Sequence, residues 1–515
     1  MSTPTVSITM IRRIKEYLFI VNYLGALLTL FGLLLFIPLI VQLYYQETMT
    51  GTHLVAAFTI PGMILFFGGI LLQKKIPVRI PSVQEGMVIT ALAWLSAALV
   101  SSLPFIIGIN KPVIDAIFEA TSGITASGLT VFTGLDQLPK CILFWRSLLQ
   151  WVGGVGILTF FLAVSFRGGS TSAALFVAEG HKIASRRPVP GIFNTIKIIW
   201  TIYGLLTISC FFLLWLEGLP PFEALNHALT VVSTGGFSTH DRSISFFAHY
   251  PHAELIEYTL IFFMVMGGIN FLIHYKIFTG EWRSIYKDYE IRWFWSLLAG
   301  CTILICLDHL LHSPQGSSYL ADNLSTTFHH LHEMFRKSLF QVASLLTSTG
   351  YTVQNINSTF FPALAKQLFL LLMFVGGCVG STSGGFKILR LGILWEALKS
   401  ELIRSISSPK RIVPLVVHEQ IIEHREIQRI TALLFAWLLI IFVGAGITVF
   451  FSDLNAWEGF SGMLSAVSNM GPFYFSIERL VSIHPLVKLT YSLGMLIGRL
   501  EILPFFVLFS RKSWQ

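Results

Sequence analysis

Four stretches of this chain bring hydroxyl residues and glycine into one pattern: DAIFEATSGITASG (115–128), EALNHALTVVSTGG (223–236), KSLFQVASLLTSTG (337–350) and EGFSGMLSAVSNMG (458–471). They align without gaps on the final glycine. Six residues before it stand Ser122, Thr230, Ser344 and Ser465; three before it stand Thr125, Ser233, Thr347 and Ser468. The glycines follow one another at intervals of 108, 114 and 121 residues. One such stretch would read as a surface turn, but four at near-constant spacing read as an internal repeat. The chemistry available to them is that of backbone carbonyl oxygens. Glycine adopts positive φ without a Cβ penalty, which helps turn successive carbonyls to one side. Four such segments around one axis would make a carbonyl ring able to replace the hydration shell of a cation.

A fifth stretch, GGCVGSTSGGFK (376–387), has the glycine and hydroxyl density of a phosphate-binding loop. Its spacing argues otherwise, because such a loop needs Gly-Lys-Ser/Thr after a strand. Here Phe386 separates Gly385 from Lys387, Ile388 stands where the hydroxyl should be, and the preceding LFLLLMFV reads as membrane helix. The opening Gly376-Gly377 has counterparts in Gly153-Gly154 and Gly267-Gly268, with Gly494 and Gly498 in the fourth copy. For the first two pairs, close helix packing through small residues is a sufficient reason. The third continues through Gly380, Ser381, Thr382, Ser383, Gly384 and Gly385. Each glycine costs a helix about 1 kcal/mol relative to alanine, so a broken span lying across an ion path is expected, with Lys387 at its cytoplasmic border. Arg499 lies in another apolar run, where a central arginine costs about 2.5–3.5 kcal/mol and normally faces an interior cavity. Glu501, two residues on, lies on a different helix face. Arg499 is therefore expected to project below the ring toward 376–385, holding the gate closed and repelling cations.

The elements that must position these residues are membrane helices. Of 515 residues, 54% are hydrophobic and 12% charged, against about 25% charged in soluble domains. Apolar windows of spanning length fall near 17–44, 54–73, 86–108, 140–165, 192–216, 254–275, 293–312, 361–390, 426–451 and 484–510. With both termini in the cytoplasm, 24 of the 35 Lys and Arg lie in internal segments, as the positive-inside rule requires. Arg146 and Lys337 fall among the cations of external loops and helix tops. The same distribution accounts for the net charge of +8 without nucleic acid. The glycine-ended stretches follow the third, fifth, seventh and ninth spans and are too short to cross. Non-helical backbone at that depth is tolerated where it lines a water-filled path. Asp115, Glu223 and Glu458 would favour the N-terminal ends of short helices; Lys337 breaks that pattern.

The expected fold is an all-α integral membrane protein with four pseudo-symmetric helix–pore loop–helix repeats around one ion pore. Two additional transmembrane helices occupy 1–80, and the repeats 81–190, 191–290, 291–420 (with the gating loop) and 421–515. The five cysteines have no metal-ligand spacing. His309, His312, His329, His330 and His332 read as a hydrated surface loop. No catalytic triad, metal-protease motif or haem site is present, so no enzyme is expected.

The run Ser233-Thr-Gly-Gly-Phe-Ser-Thr-His-Asp241, the run Gly380-Ser-Thr-Ser-Gly-Gly-Phe-Lys387 and Gly498-Arg-Leu-Glu501 together resemble the Trk/Ktr/HKT superfamily of potassium transporters, in its TrkH/TrkG branch. The resemblance covers essentially the whole chain. It implies a potassium uptake subunit of a bacterial cytoplasmic (inner) membrane, working as a homodimer with one pore in each protomer. It also implies a cytosolic TrkA-type regulatory ring binding NAD or adenine nucleotides, for which 166–191 and 391–425 are the expected docking surfaces. K+ is the transported ion, and no organic cofactor is implied. Carried over by position, the K+ filter is Thr125, Ala126, Ser127 and Gly128; Ser233, Thr234, Gly235 and Gly236; Thr347, Ser348, Thr349 and Gly350; and Ser468, Asn469, Met470 and Gly471. The gate is Gly376, Gly377, Gly380–Gly385 and Lys387, with Arg499. Bulky Met470 and rigid Pro472 set the fourth copy apart and predict weaker discrimination against sodium. Transport as a channel, or as symport with sodium or protons, is left open. The alternative is a sodium- or proton-coupled secondary transporter of another cation or small solute, which predicts two-fold inverted repeats instead of four parallel copies.

Overall fold

A computed structural model of the chain describes residues 5–47, 52–156, 192–313, 324–407, 414–417 and 420–510. It is helical apart from a two-residue antiparallel pairing of Val416–Val417 with Gln420–Ile421. Two N-terminal elements, Thr5–Leu34 (continued by Ile37–Tyr44) and Thr52–Lys75, pack closely against each other. Small residues permit this: a Cβ on Gly32 would lie 2.6 Å from the backbone nitrogen of Phe66.

Each repeat then contributes a leading helix, a short helix and a trailing helix. The leading helices are Val83–Ser101 with Leu103–Ile109, Ile192–Leu216, Tyr289–His312 and His424–Phe450. The short ones are Val113–Ile124, Pro221–Val232, the C-terminal half of Leu324–Leu346, and Ala456–Ser468. Asp115, Glu223 and Glu458 sit in the first turns of the three that start afresh. The third is continuous with a longer helix, so Lys337 lies in mid-helix and pairs with Glu333 one turn earlier. No helix N-terminus exists there for an acid to favour. The histidine-rich stretch is likewise helical in part: His309 and His312 end Tyr289–His312, while His329, His330 and His332 belong to Leu324–Leu346.

The expected spans 254–275 and 484–510 prove to be bent, and 361–390 is broken as expected. Among the described residues, six helices are long and apolar enough to cross a membrane, and two more spans exist only as pairs bent by 101° and 115°. The bent pairs are Ala253–Gly268 with Phe271–Phe278 and Pro485–Arg499 with Leu503–Phe509. The third trailing helix, Ala363–Val375, stops at Gly376 and resumes only at Ile388–Ile406. The first, Lys140–Gly154, ends at its glycine pair, and the remainder of 140–165 and the expected docking segment 166–191 lie outside the described residues.

The glycines explain the breaks. Cβ atoms on Gly153 and Gly498 would overlap the carbonyls of Ile124 and Val467, and one on Gly267 would lie 3.0 Å from that of Val232. Ile124, Val232 and Val467 all stand immediately before a glycine-ended segment. Each of these trailing helices is thus drawn onto the C-terminal end of its own repeat's short helix, where a side chain could not fit.

Candidate ion path

The four segments share one backbone path. Their second residues, Ala126, Thr234, Ser348 and Asn469, have φ of 52°, 50°, 55° and 52°. Their glycines, Gly128, Gly236, Gly350 and Gly471, have φ of 79°, 76°, 84° and 101°. The positive values alternate with the intervening residues, which gives all four segments the same turned course. Hydroxyls at the first position end the helices: Thr125 and Thr347 donate to the carbonyls of Thr121 (2.6 Å) and Ala343 (2.7 Å).

The segments meet in chain order. Gly128 faces the Gly235 carbonyl, Gly236 that of Thr349, Gly350 that of Met470, and Gly471 that of Ser127. A Cβ on Gly128 would sit 2.5 Å from its facing oxygen, and those on Gly236 and Gly350 would overlap theirs. The junction of Gly471 with Ser127 is looser, at 3.3 Å. Four parallel copies therefore close into one ring, with third-position carbonyls at a common level. Met470 takes part through its backbone, its side chain being fully buried. On one side the four glycines border a cavity of about 530 Å³, lined also by Arg146, His240, Asp241 and Glu478.

On the other side, 376–387 is non-helical and runs beneath the ring. Thr382 donates to the Val232 and Gly267 carbonyls (3.1 Å each) and lies 3.2 Å from the Thr234 hydroxyl. The Gly384 amide donates to Ser348 Oγ, and the Gly385 amide to the Ser468 carbonyl at 3.0 Å. Amides of Cys378 and Thr382 pair with the Gly268 and Gly267 carbonyls. Phe386 and Lys387 donate to Phe374 and Val375, folding the segment back on its own helix. Arg499 completes the arrangement: its guanidinium donates to the Thr382 carbonyl at 3.0 Å and to the Gly153 and Gly154 carbonyls. The loop and Arg499 together touch all four repeats.

One expectation at this level changes. Lys387 is buried, with its ammonium on the Ser383 carbonyl, so it turns into the loop instead of marking a border. Glu501, expected on a different helix face from Arg499, pairs with Arg390.

Residues 55–515 match the family described as TrkH, cation transport protein. The chain belongs to the TrkH family. It is 30% identical over 505 residues to the Trk system potassium uptake protein TrkH of Salmonella typhimurium, an alignment spanning 96% of this chain and 99% of that one. An uncharacterized cation transporter of Methanocaldococcus jannaschii is 32% identical over 95% of both chains. The crystal structure of the potassium transporter TrkH from Vibrio parahaemolyticus superposes with a TM-score of 0.82 at 28% identity, covering 97% of this chain and all of that one. These relatives are transporters, not enzymes, and the all-helical membrane architecture is theirs.

In this TrkH-family chain, sequence reasoning missed a buried support beside the ring. Arg146, counted among the cations of external loops and helix tops, is fully buried and paired at 2.8 Å with Glu119, itself fully buried on the first short helix. Glu119 also accepts from the Thr130 hydroxyl and the Val131 amide, while Arg146 donates to the Ser238 carbonyl and lies over the Phe237 ring. The pair thus ties the chain leaving the first ring segment to the chain leaving the second. Its signal was present in the sequence, as a carboxylate and a guanidinium in two apolar helices of one repeat. At the cavity rim His240 is flanked by Asp136 and Glu223 and stacked on Phe246. Burial opposes its charge, but the two carboxylates prevail and hold its pKa above the ordinary histidine range.

Proposed function

We propose that this protein carries potassium across a bacterial cytoplasmic membrane through the carbonyl ring of 125–128, 233–236, 347–350 and 468–471. The observation that supports it most is the cyclic meeting of each glycine with the third-position carbonyl of the next repeat, which leaves no room for a side chain at three of the four junctions. Such a ring can replace water around a dehydrated cation, and relatives named as potassium uptake proteins align over the full length. Segment 376–387, held by Arg499, is the gate: its hydrogen bonds to the underside of the ring would have to break for an ion to pass. The protein works as a homodimer, with its termini in the cytoplasm and a cytosolic ring of TrkA-type nucleotide-binding subunits setting the gate. The purified protein in liposomes should take up potassium and rubidium down their gradients. Uptake that requires a sodium or proton gradient would convert the reading to symport, and no uptake of either ion would remove it.

A further inference from the structure

Superposing the four trailing helices on their helix-ending glycines places Gln150 in register with Met264, Met373 and Met495. Three repeats thus carry a thioether where the first carries an amide. Gln150 is fully buried. Its Nε2 donates to the Gly235 carbonyl, and its Oε1 accepts from the Phe237 amide at 3.0 Å. One side chain therefore grips both peptide groups flanking Gly236.

The grip also accounts for the residue it holds. The third position of the ring is Ser127, Thr349 and Met470 in the other repeats, but Gly235 here. A Cβ on Gly235 would overlap the Gln150 amide. Where the third residue has a hydroxyl, it bonds within its own segment, Ser127 to Thr125 at 2.7 Å and Thr349 to Thr347 at 2.8 Å, and Ser127 also accepts from Asn469 of the fourth repeat at 2.6 Å. Gly235 has no such group, and Gln150 supplies the missing restraint from the neighbouring repeat.

We infer that Gln150 is a positioning residue that sets ion discrimination at the second quarter of the ring. This rests on the ring being the potassium filter. Two consecutive glycines, Gly235-Gly236, have the greatest backbone freedom of any ring segment here. Discrimination between ions depends on the number and field of the coordinating carbonyls and on how far they can close on a smaller ion. The Gln150 amide fixes the direction of the Gly235 carbonyl and draws on its partial charge. It thereby holds that quarter against contraction around sodium.

The test is the ratio of rubidium to sodium uptake in liposomes, together with the half-saturating rubidium concentration. Gln150→Met, which copies the other three repeats, should lower the ratio about fivefold, the size of one net hydrogen bond, and raise the half-saturating concentration. Gln150→Glu keeps the acceptor for Phe237 but loses the donor to Gly235, and should lower the ratio in the same way. This second variant decides the matter should the methionine variant fail to fold. Gly235→Ser alone should lose most uptake, because its Cβ meets Gln150. Adding Gln150→Met should recover uptake by recreating the serine and methionine found at 127 and 495. An unchanged ratio in both Gln150 variants, or no recovery in the double variant, overturns the inference. Gly236→Ser is the separate check on the ring: its Cβ overlaps the Thr349 carbonyl and should abolish rubidium uptake, and if uptake persists the filter reading fails with it. If Gly236→Ser abolishes uptake while both Gln150 variants keep the normal ratio, the filter stands and Gln150 is merely structural.

Discussion

Replacing Arg499 by alanine removes donors from three carbonyls, but the three are not equivalent. Those of Gly153 and Gly154 end a helix of another repeat. That of Thr382 belongs to the loop beneath the ring, so this bond joins the loop to the arginine. A hydrogen bond to a charged group contributes about 1.5–3 kcal/mol. At tenfold for each 1.4 kcal/mol, losing it should shift the closed–open balance by roughly ten- to a hundredfold. The positive charge below the ring disappears as well, which removes a repulsion against cations. Rubidium influx into liposomes should therefore rise for Arg499→Ala. Lysine keeps the charge but cannot present the planar fork that spans several carbonyls, so Arg499→Lys should fall between. Influx for Arg499→Ala equal to or below that of the unaltered protein, with unchanged melting temperature in detergent, would refute a gating role.

Other outcomes follow from distances already given. Gly236→Ala should abolish rubidium uptake, because its Cβ overlaps the Thr349 carbonyl; uptake within twofold of normal would contradict the ring. Glu119→Ala leaves Arg146 buried without its carboxylate, a change that costs about 3–5 kcal/mol, and should appear as a marked drop in melting temperature. Gly153→Ala forces a methyl group into the Ile124 carbonyl, and overpacking of this kind costs about 1–3 kcal/mol; the same melting assay measures it. His240 has a raised folded pKa, so its stabilising charge is fully present below the unfolded value near 6.5 and is lost as pH rises through the higher folded value. Hydrogen exchange across 236–250 should therefore speed up, beyond its intrinsic pH trend, as pH climbs through neutrality, and His240→Gln should abolish the excess.

The ring segments were legible because a ring built from backbone carbonyls lets side-chain types vary, so the glycine common to all four repeats stands out against variable neighbours. Their second residues were not. Ala126, Thr234 and Ser348 take positive φ although nothing in their chemistry favours it, the ring itself imposing that conformation; Asn469 alone is a type that tolerates it readily. The trailing helices misled for a different reason. Hydropathy reports that 254–275 and 484–510 are apolar but carries no information on axis direction, so bends of 101° and 115° pass unseen. Arg499 was conspicuous as a lone charge in an apolar run. Arg146 was not, because it lies near a span end where cations are ordinary, and its partner Glu119 is 27 residues away. Gln150 carries no charge and gives no hydropathy signal of its own; only the register of the four trailing helices sets it apart.

The loop beneath the ring has a consequence for how such a chain could have diverged. Four copies of one unit begin with equal opportunity to extend a segment across the common axis. The axis can hold one, because 382–385 already reaches the second, third and fourth repeats and Arg499 closes the remaining side. With the third copy across the axis, the second and fourth trailing helices bend instead. The fourth could then exchange its second glycine for arginine, the residue that reaches back to the first. Below the ring four like units meet at a place that holds one segment, so they differ there, while above it all four keep the same part.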